Sequence, residues 1–112
     1  MAEWAPDVGD LVWLTFDPQA GREQAGRRPA LVLSPAAYNR RSGLAIMCPI
    51  TSRLKGYPFE VGLPEGLEVG GAILADHVKS LDWRARRAER AGKVSVPVLR
   101  EVQARIAPLL GF

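Results

Sequence analysis

Short apolar runs, broken by glycine, proline and charge, recur along the chain and set out its elements. Leu11-Val12-Trp13-Leu14-Thr15-Phe16 follows Gly9-Asp10 and stops at Asp17-Pro18, the profile of a short β-strand. Residues 19–27 are polar, hold Gly21 and Gly26, and read as a loop. Pro29-Ala30-Leu31-Val32-Leu33 contains no polar position, so a strand buried on both faces is expected there. Residues 36–41 form a helical turn or loop, and Gly43 leads into a strand over 44–50. Thr51 opens a polar turn, and residues 58–63 alternate as a half-exposed strand does. After a turn at 64–70, Ala72 begins a strand expected to continue through Val78 to Leu81. Val94 marks one more short strand.

The pattern then changes period. Ser95 is a suitable N-cap, and Pro97 is tolerated in the first turn of the helix it opens. Leu99, Val102, Ile106, Leu109 and Leu110 fall on one helical face, and Gly111 is a natural stop. Five or more short strands and one C-terminal amphipathic helix predict a mainly β protein, a small curled antiparallel barrel.

Composition narrows this picture slightly. The 112 residues suit a single domain, 1–112, with no linker or repeat dividing it. Eleven Gly and nine Pro favour a turn-rich β fold over a helix bundle. The net charge is +3, and twelve of the fifteen basic residues are Arg. That bias fits a phosphate-rich partner, because guanidinium forks onto phosphate oxygens; it equally fits a coding preference of the source genome. The single cysteine, Cys48, lies in an apolar run and reads as a buried, inert thiol. With one histidine, His77, no Cys/His pair has metal-ligand spacing, and no metal or cofactor is expected. The longest apolar runs are too short for a membrane span and no signal peptide is recognisable, which predicts a cytoplasmic protein.

Three polar places sit where strands are expected to end. The loop Gly21-Arg22-Glu23-Gln24-Ala25-Gly26-Arg27-Arg28 runs into a buried strand, with Pro29 holding Arg28 extended. Thr51 ends the apolar strand before it. Asp76-His77-Val78-Lys79 interrupts an otherwise apolar segment. Each also fits a structural role: Arg28 paired with Glu23 on a rim, Thr51 as a turn residue, Asp76 paired with Lys79, and His77 solvated in a loop. The sequence lacks a carboxylate cluster for two-metal chemistry, a GxxxxGK[ST] phosphate loop and a GxSxG elbow.

The stretch GREQAGRRPALVLS, residues 21–34, resembles the signature segment of the MazF/PemK toxins, the RNA-cutting halves of bacterial toxin–antitoxin pairs. Gly9-Asp10-Leu11-Val12-Trp13 resembles the family's opening strand. Pro49-Ile50-Thr51-Ser52 with Lys55-Gly56-Tyr57-Pro58-Phe59-Glu60-Val61 resembles its central hairpin region, and Leu74-Ala75-Asp76-His77-Val78-Lys79-Ser80-Leu81 its later strand pair. The match runs from Pro6 to the C-terminus in order and is nearest the MazF branch. It implies a compact SH3-like antiparallel β-barrel with a C-terminal α-helix, acting as a homodimer. It further implies metal-independent cleavage of single-stranded mRNA at short motifs, leaving 2′,3′-cyclic phosphate and 5′-hydroxyl ends. A MazE-like antitoxin with an acidic, flexible tail is the implied partner.

Carried over residue by residue, the resemblance assigns catalysis to Arg28, Thr51 and the loop glutamate Glu23. It sets Gln24, Asn39, Lys55, Asp76 and Lys79 beside the RNA. Elementary chemistry agrees: the ribose 2′-hydroxyl can attack phosphorus itself, so the protein need supply only alignment, proton transfer and charge stabilisation. Arg28 suits the last task and is too weak an acid to serve as base, leaving Glu23 as the candidate base. His77 departs from the family, whose close members carry an amide there, so imidazole is not required by the mechanism. Two rivals stand beside this reading: a toxin of the same fold that inhibits DNA gyrase by protein binding, and a non-catalytic nucleic-acid-binding barrel.

Overall fold

The computed structural model describes residues 4–15 and 27–112. Its strands are β1 (Asp10–Thr15), β2 (Arg27–Val32), β3 (Leu44–Thr51), β4 (Glu60–Gly62), β5 (Ala72–Leu74), β6 (Lys79–Asp82) and β7 (Glu89–Lys93). Helix α1 (Ala36–Ser42) joins β2 to β3, and α2 (Val96–Ile106) closes the chain, followed by a 3-10 turn over Ala107–Leu110. The strands form one antiparallel sheet in the order β4-β5-β3-β2-β1-β7, with β6 also paired to β3.

Both faces of the central strands are buried, as the unbroken apolar run of β2 predicts. Leu11 pairs with Leu31 and Leu31 with Cys48, all inside one core cluster. Their chain neighbours Val12, Ala30, Val32 and Met47 point the opposite way into a second cluster with Leu14 and Trp83. The first cluster takes side chains from both ends of the sheet, Val61 on β4 and Ala91 on β7, so the sheet curls around it. It does not close: β4 and β7 are the two ends of the sheet order. Helix α2 fills the gap by adding Val102 and Ile106 to that same cluster. A mainly antiparallel β fold with a C-terminal helix is therefore what the sequence predicts, and the barrel is an open one.

Two expectations need correction. The strand expected from Ala72 to Leu81 is broken by a 3-10 turn over Ala75–His77. Strand β3 shows why: Ile50 pairs with Ile73 and Met47 with Lys79, so three steps on β3 face six on its partner. Three residues are extra, the length of the turn. The apolar face of the C-terminal helix also stops early. Pro108 has no N–H for the next helical bond, the chain tightens after Ile106, and Leu109 and Leu110 are exposed. The predicted start holds, with Ser95 Oγ accepting from Val98 N at 3.4 Å.

Candidate active site

The β2–β3 ladder has its last pair at Ala30 and Pro49. Beyond it the strands part, and a groove of about 640 Å³ opens between them. The same register carried two residues further sets Arg28 opposite Thr51, on the same face of the sheet. Both line the groove, with Trp13, Pro29, Ser52, Arg53 and the segment 68–70 around them.

Two adjacent arginines face different tasks here. Arg27 is spent on structure: its guanidinium donates to Thr15 Oγ1 at 3.3 Å and to the carbonyls of Arg86 and Arg87 at 3.2 and 2.9 Å, and it pairs with Glu89. It fastens the mouth of β2 to the turn before β7. Arg28 is exposed, and its guanidinium has no hydrogen bond or ion pair among the described residues. A fixed cation with free donors at a groove is what a phosphate requires.

Thr51 is half-buried at the end of β3. Its Oγ1 accepts from Arg53 N at 3.0 Å, which leaves the hydroxyl proton to donate elsewhere. Gly71 holds the Thr51 backbone from behind. A Cβ on Gly71 would lie 2.1 Å from the Thr51 carbonyl oxygen and 3.3 Å from Ser52 Cα, so the two strands approach closer than any side chain allows.

The remaining expected site residues scatter. Glu23 and Gln24 lie outside the described residues. Lys55 is exposed on the loop after Thr51, its Nζ 5.9 Å from the centre of the Tyr57 ring. Asp76 and His77 are exposed on the 3-10 turn, with His77 Nε2 3.8 Å from Asp76 Oδ1. Lys79 is exposed at the start of β6. None of these four lines the groove.

Asn39 contradicts its expectation outright. Its side chain is 0% exposed. Nδ2 donates to the carbonyls of Pro6 and Ser34 at 2.7 and 2.9 Å, and Oδ1 accepts from Ser34 Oγ at 2.5 Å. Its own carbonyl accepts from Trp83 Nε1 at 2.8 Å. Asn39 is thus a fully satisfied core polar group joining four parts of the chain, with nothing left to offer RNA. Conversely, Trp13 and the segment 68–70 line the groove without a signal in the sequence. Trp13 sits in an apolar strand, and 68–70 reads as an ordinary turn.

Cys48 is completely buried, and burial followed by the nearby Asp76 charge pushes its thiol up to about 12, so it stays protonated and inert. Among the described residues no three His, Cys, Asp or Glu side chains gather to hold a metal ion, and no helix is long and apolar enough to cross a membrane.

The open sheet with its C-terminal helix is the fold of a known toxin class. Residues 7–110 match the family described as PemK-like, MazF-like toxin of type II toxin–antitoxin system, and the chain belongs to that family. The endoribonuclease toxin MazF of Escherichia coli K12 is 50% identical over 111 residues, covering 99% of each chain. The crystal structure of MazF from Deinococcus radiodurans superposes with a TM-score of 0.89 at 61% identity, over 98% of this chain and 100% of that one. A MazE–MazF crystal structure from the same organism matches with a TM-score of 0.89 at 55% identity, over 98% and 99%. The enzyme class expected from the sequence, an endoribonuclease toxin of a toxin–antitoxin pair, is thereby borne out.

Proposed function

We propose that the chain cuts single-stranded mRNA at short sequence motifs by internal attack of a ribose 2′-hydroxyl, without a metal ion. In that reaction the 2′-oxygen loses its proton and bonds to phosphorus. The bond to the 5′-oxygen then breaks, and that oxygen takes up a proton to leave a 5′-hydroxyl beside a 2′,3′-cyclic phosphate. Arg28 forks onto the non-bridging oxygens as their negative charge grows, and Thr51 donates its hydroxyl proton to the same phosphate. Glu23 takes the 2′-hydroxyl proton as general base. Gln24, Lys55, Asp76 and Lys79 contact the flanking RNA, the last three from outside the groove of this one chain.

The observation that carries the reading is the Arg28 guanidinium, which has no partner among the described residues and lines one groove with Thr51, while Arg27 beside it is engaged. The active unit is a homodimer, a role favoured by the exposed apolar side chains of Leu44 and Ile46 on β3 and of Leu109, Leu110 and Phe112 at the C-terminus. A MazE-like antitoxin covers the basic groove with an acidic tail that folds on binding, and the toxin acts in the cytoplasm, where mRNA is.

The test is a defined RNA incubated with purified protein in EDTA, beside the same RNA carrying a 2′-deoxy nucleotide at each mapped cut site. Cleavage of the first and survival of the second supports the proposal. Cutting that persists at the 2′-deoxy sites, or that requires a divalent ion, refutes it.

A further inference from the structure

Residues 52–58 are all exposed, and the first apolar anchor after Thr51 is Phe59, packed on the core just before β4. Leu54 and Tyr57 are 60% and 59% exposed, yet the backbone between them is held. The device is one carboxylate. Glu60 Oε1 accepts from Lys55 N at 3.1 Å and from Gly56 N at 3.0 Å, and Oε2 accepts from Lys55 N at 3.1 Å. Gly56 has φ +78, and with that left-handed residue the successive N–H groups of Lys55 and Gly56 converge on the one carboxylate. Glu60 N closes the loop by donating to the Tyr57 carbonyl at 3.1 Å. From the helix side, Arg105 of α2, itself paired with Glu101, donates to the Pro58 carbonyl. At the other end, Arg53 N is fixed on Thr51 Oγ1, so the clamp and the candidate catalytic hydroxyl hold opposite ends of one short loop.

That loop carries Arg53 at the groove, and Lys55 stacked near Tyr57 just beyond it. A cation and an aromatic ring on a fixed loop suit an unpaired base and its phosphate. We infer that Glu60 is a positioning residue: its carboxylate sets the loop that presents Arg53, Lys55 and Tyr57 to the nucleotides flanking the cut, and thereby governs which sequences are cut. Glu60 itself faces the loop's amides, so it acts through the loop and not on the reacting phosphate. The inference rests on the ribonuclease reading above, and its test has one arm independent of activity.

That arm is amide hydrogen exchange at Lys55 and Gly56. In Glu60→Ala both amides exchange at least about tenfold faster than in the parent, while core amides such as Leu31 are unchanged. Equal protection in the variant overturns the clamp. The second arm is cleavage of an RNA pool randomised around a mapped cut site. Glu60→Ala raises KM roughly tenfold and broadens the flanking preference, with kcat on the best sequence within about threefold. Glu60→Gln, which keeps an acceptor oxygen, falls between. An unaltered preference and KM, or a loss confined to kcat, overturns the assignment. Arg28→Ala run alongside separates the two failures. If that variant cuts like the parent, the phosphate chemistry is wrong; if it is dead while Glu60→Ala is normal, only the clamp is wrong.

Discussion

Replacing Gly71 by Ala tests whether strand contact from β5 sets the position of Thr51. The new Cβ would sit 2.1 Å from the Thr51 carbonyl oxygen and 3.0 Å from its carbonyl carbon. Carbon and oxygen settle nearer about 3.3 Å, so the strands must part by roughly 1 Å. The neighbours are backbone, and no side chain can swing away. The residue also has φ +114, a conformation that costs a non-glycine residue about 1–3 kcal/mol. Parting the strands weakens the pairing of Ile50 with Ile73 and Thr51 with Ala72, at about 1 kcal/mol for each net hydrogen bond lost. Together these amount to about 3–5 kcal/mol, a large share of the ~5–15 kcal/mol that holds a domain of this kind. In a thermal melt followed by circular dichroism, a drop of about 10 °C or more is expected. Cleavage of a fluorogenic RNA should fall even where the variant remains folded, because Thr51 is displaced. Gly62→Ala is the control: it lies on β4 with nothing within 4 Å of its would-be Cβ and no positive φ, so its stability should stay within about 1 kcal/mol of the parent. A Gly71→Ala protein that melts within about 2 °C of the parent and cuts at the parental rate would show the reasoning to be wrong.

The paired arginines should separate cleanly. Arg28→Ala should lower cleavage by about 10²–10³-fold with little change in melting, whereas Arg27→Ala should cost about 1–3 kcal/mol of stability, since it strands the Arg86 and Arg87 carbonyls; the reverse pattern in melts and initial rates would refute the assignment. Cys48 should resist iodoacetamide in the folded protein at neutral pH and react fully in denaturant. Because its folded value, about 12, lies above its ordinary 9.0, the stabilisation it contributes is complete below pH 9 and is lost as pH rises from there towards 12. Denaturant midpoints of the parent and Cys48→Ala should converge over that range. Asp7 behaves in the opposite sense: the N–H groups of Ala36 and Val8 on its carboxylate hold it below its ordinary 3.8. Its contribution is therefore present above pH 3.8 and disappears as the pH falls through the lower folded value, so the stability gap between parent and Asp7→Asn should close in acid.

Local signals in the sequence carried far where the physics is local. The Ser95 cap, the doubly buried β2 and the polar ends of β2 and β3 depend on nearest neighbours or strand periodicity, and all stand in the structure. What failed depended on distant partners. Nothing near Asn39 betrays that Pro6 and Trp83, 33 and 44 residues away, consume its side chain and its carbonyl. The helical period runs on through Leu109 and Leu110, and only the missing amide of Pro108 ends it. The choice between Arg27 and Arg28 rests on motif likeness in the sequence; in the structure both line the groove, and what separates them is that the distant Arg86 and Arg87 carbonyls and Glu89 engage Arg27.

Arg27 reaches carbonyls about sixty positions later in the chain, and β1 finds its second neighbour only in β7. A nascent chain still threaded through the ribosome up to that strand has Arg28 and Thr51 but nothing to brace the mouth between them. The braced mouth is thus a late-forming feature of the fold, complete only once β7 has paired with β1.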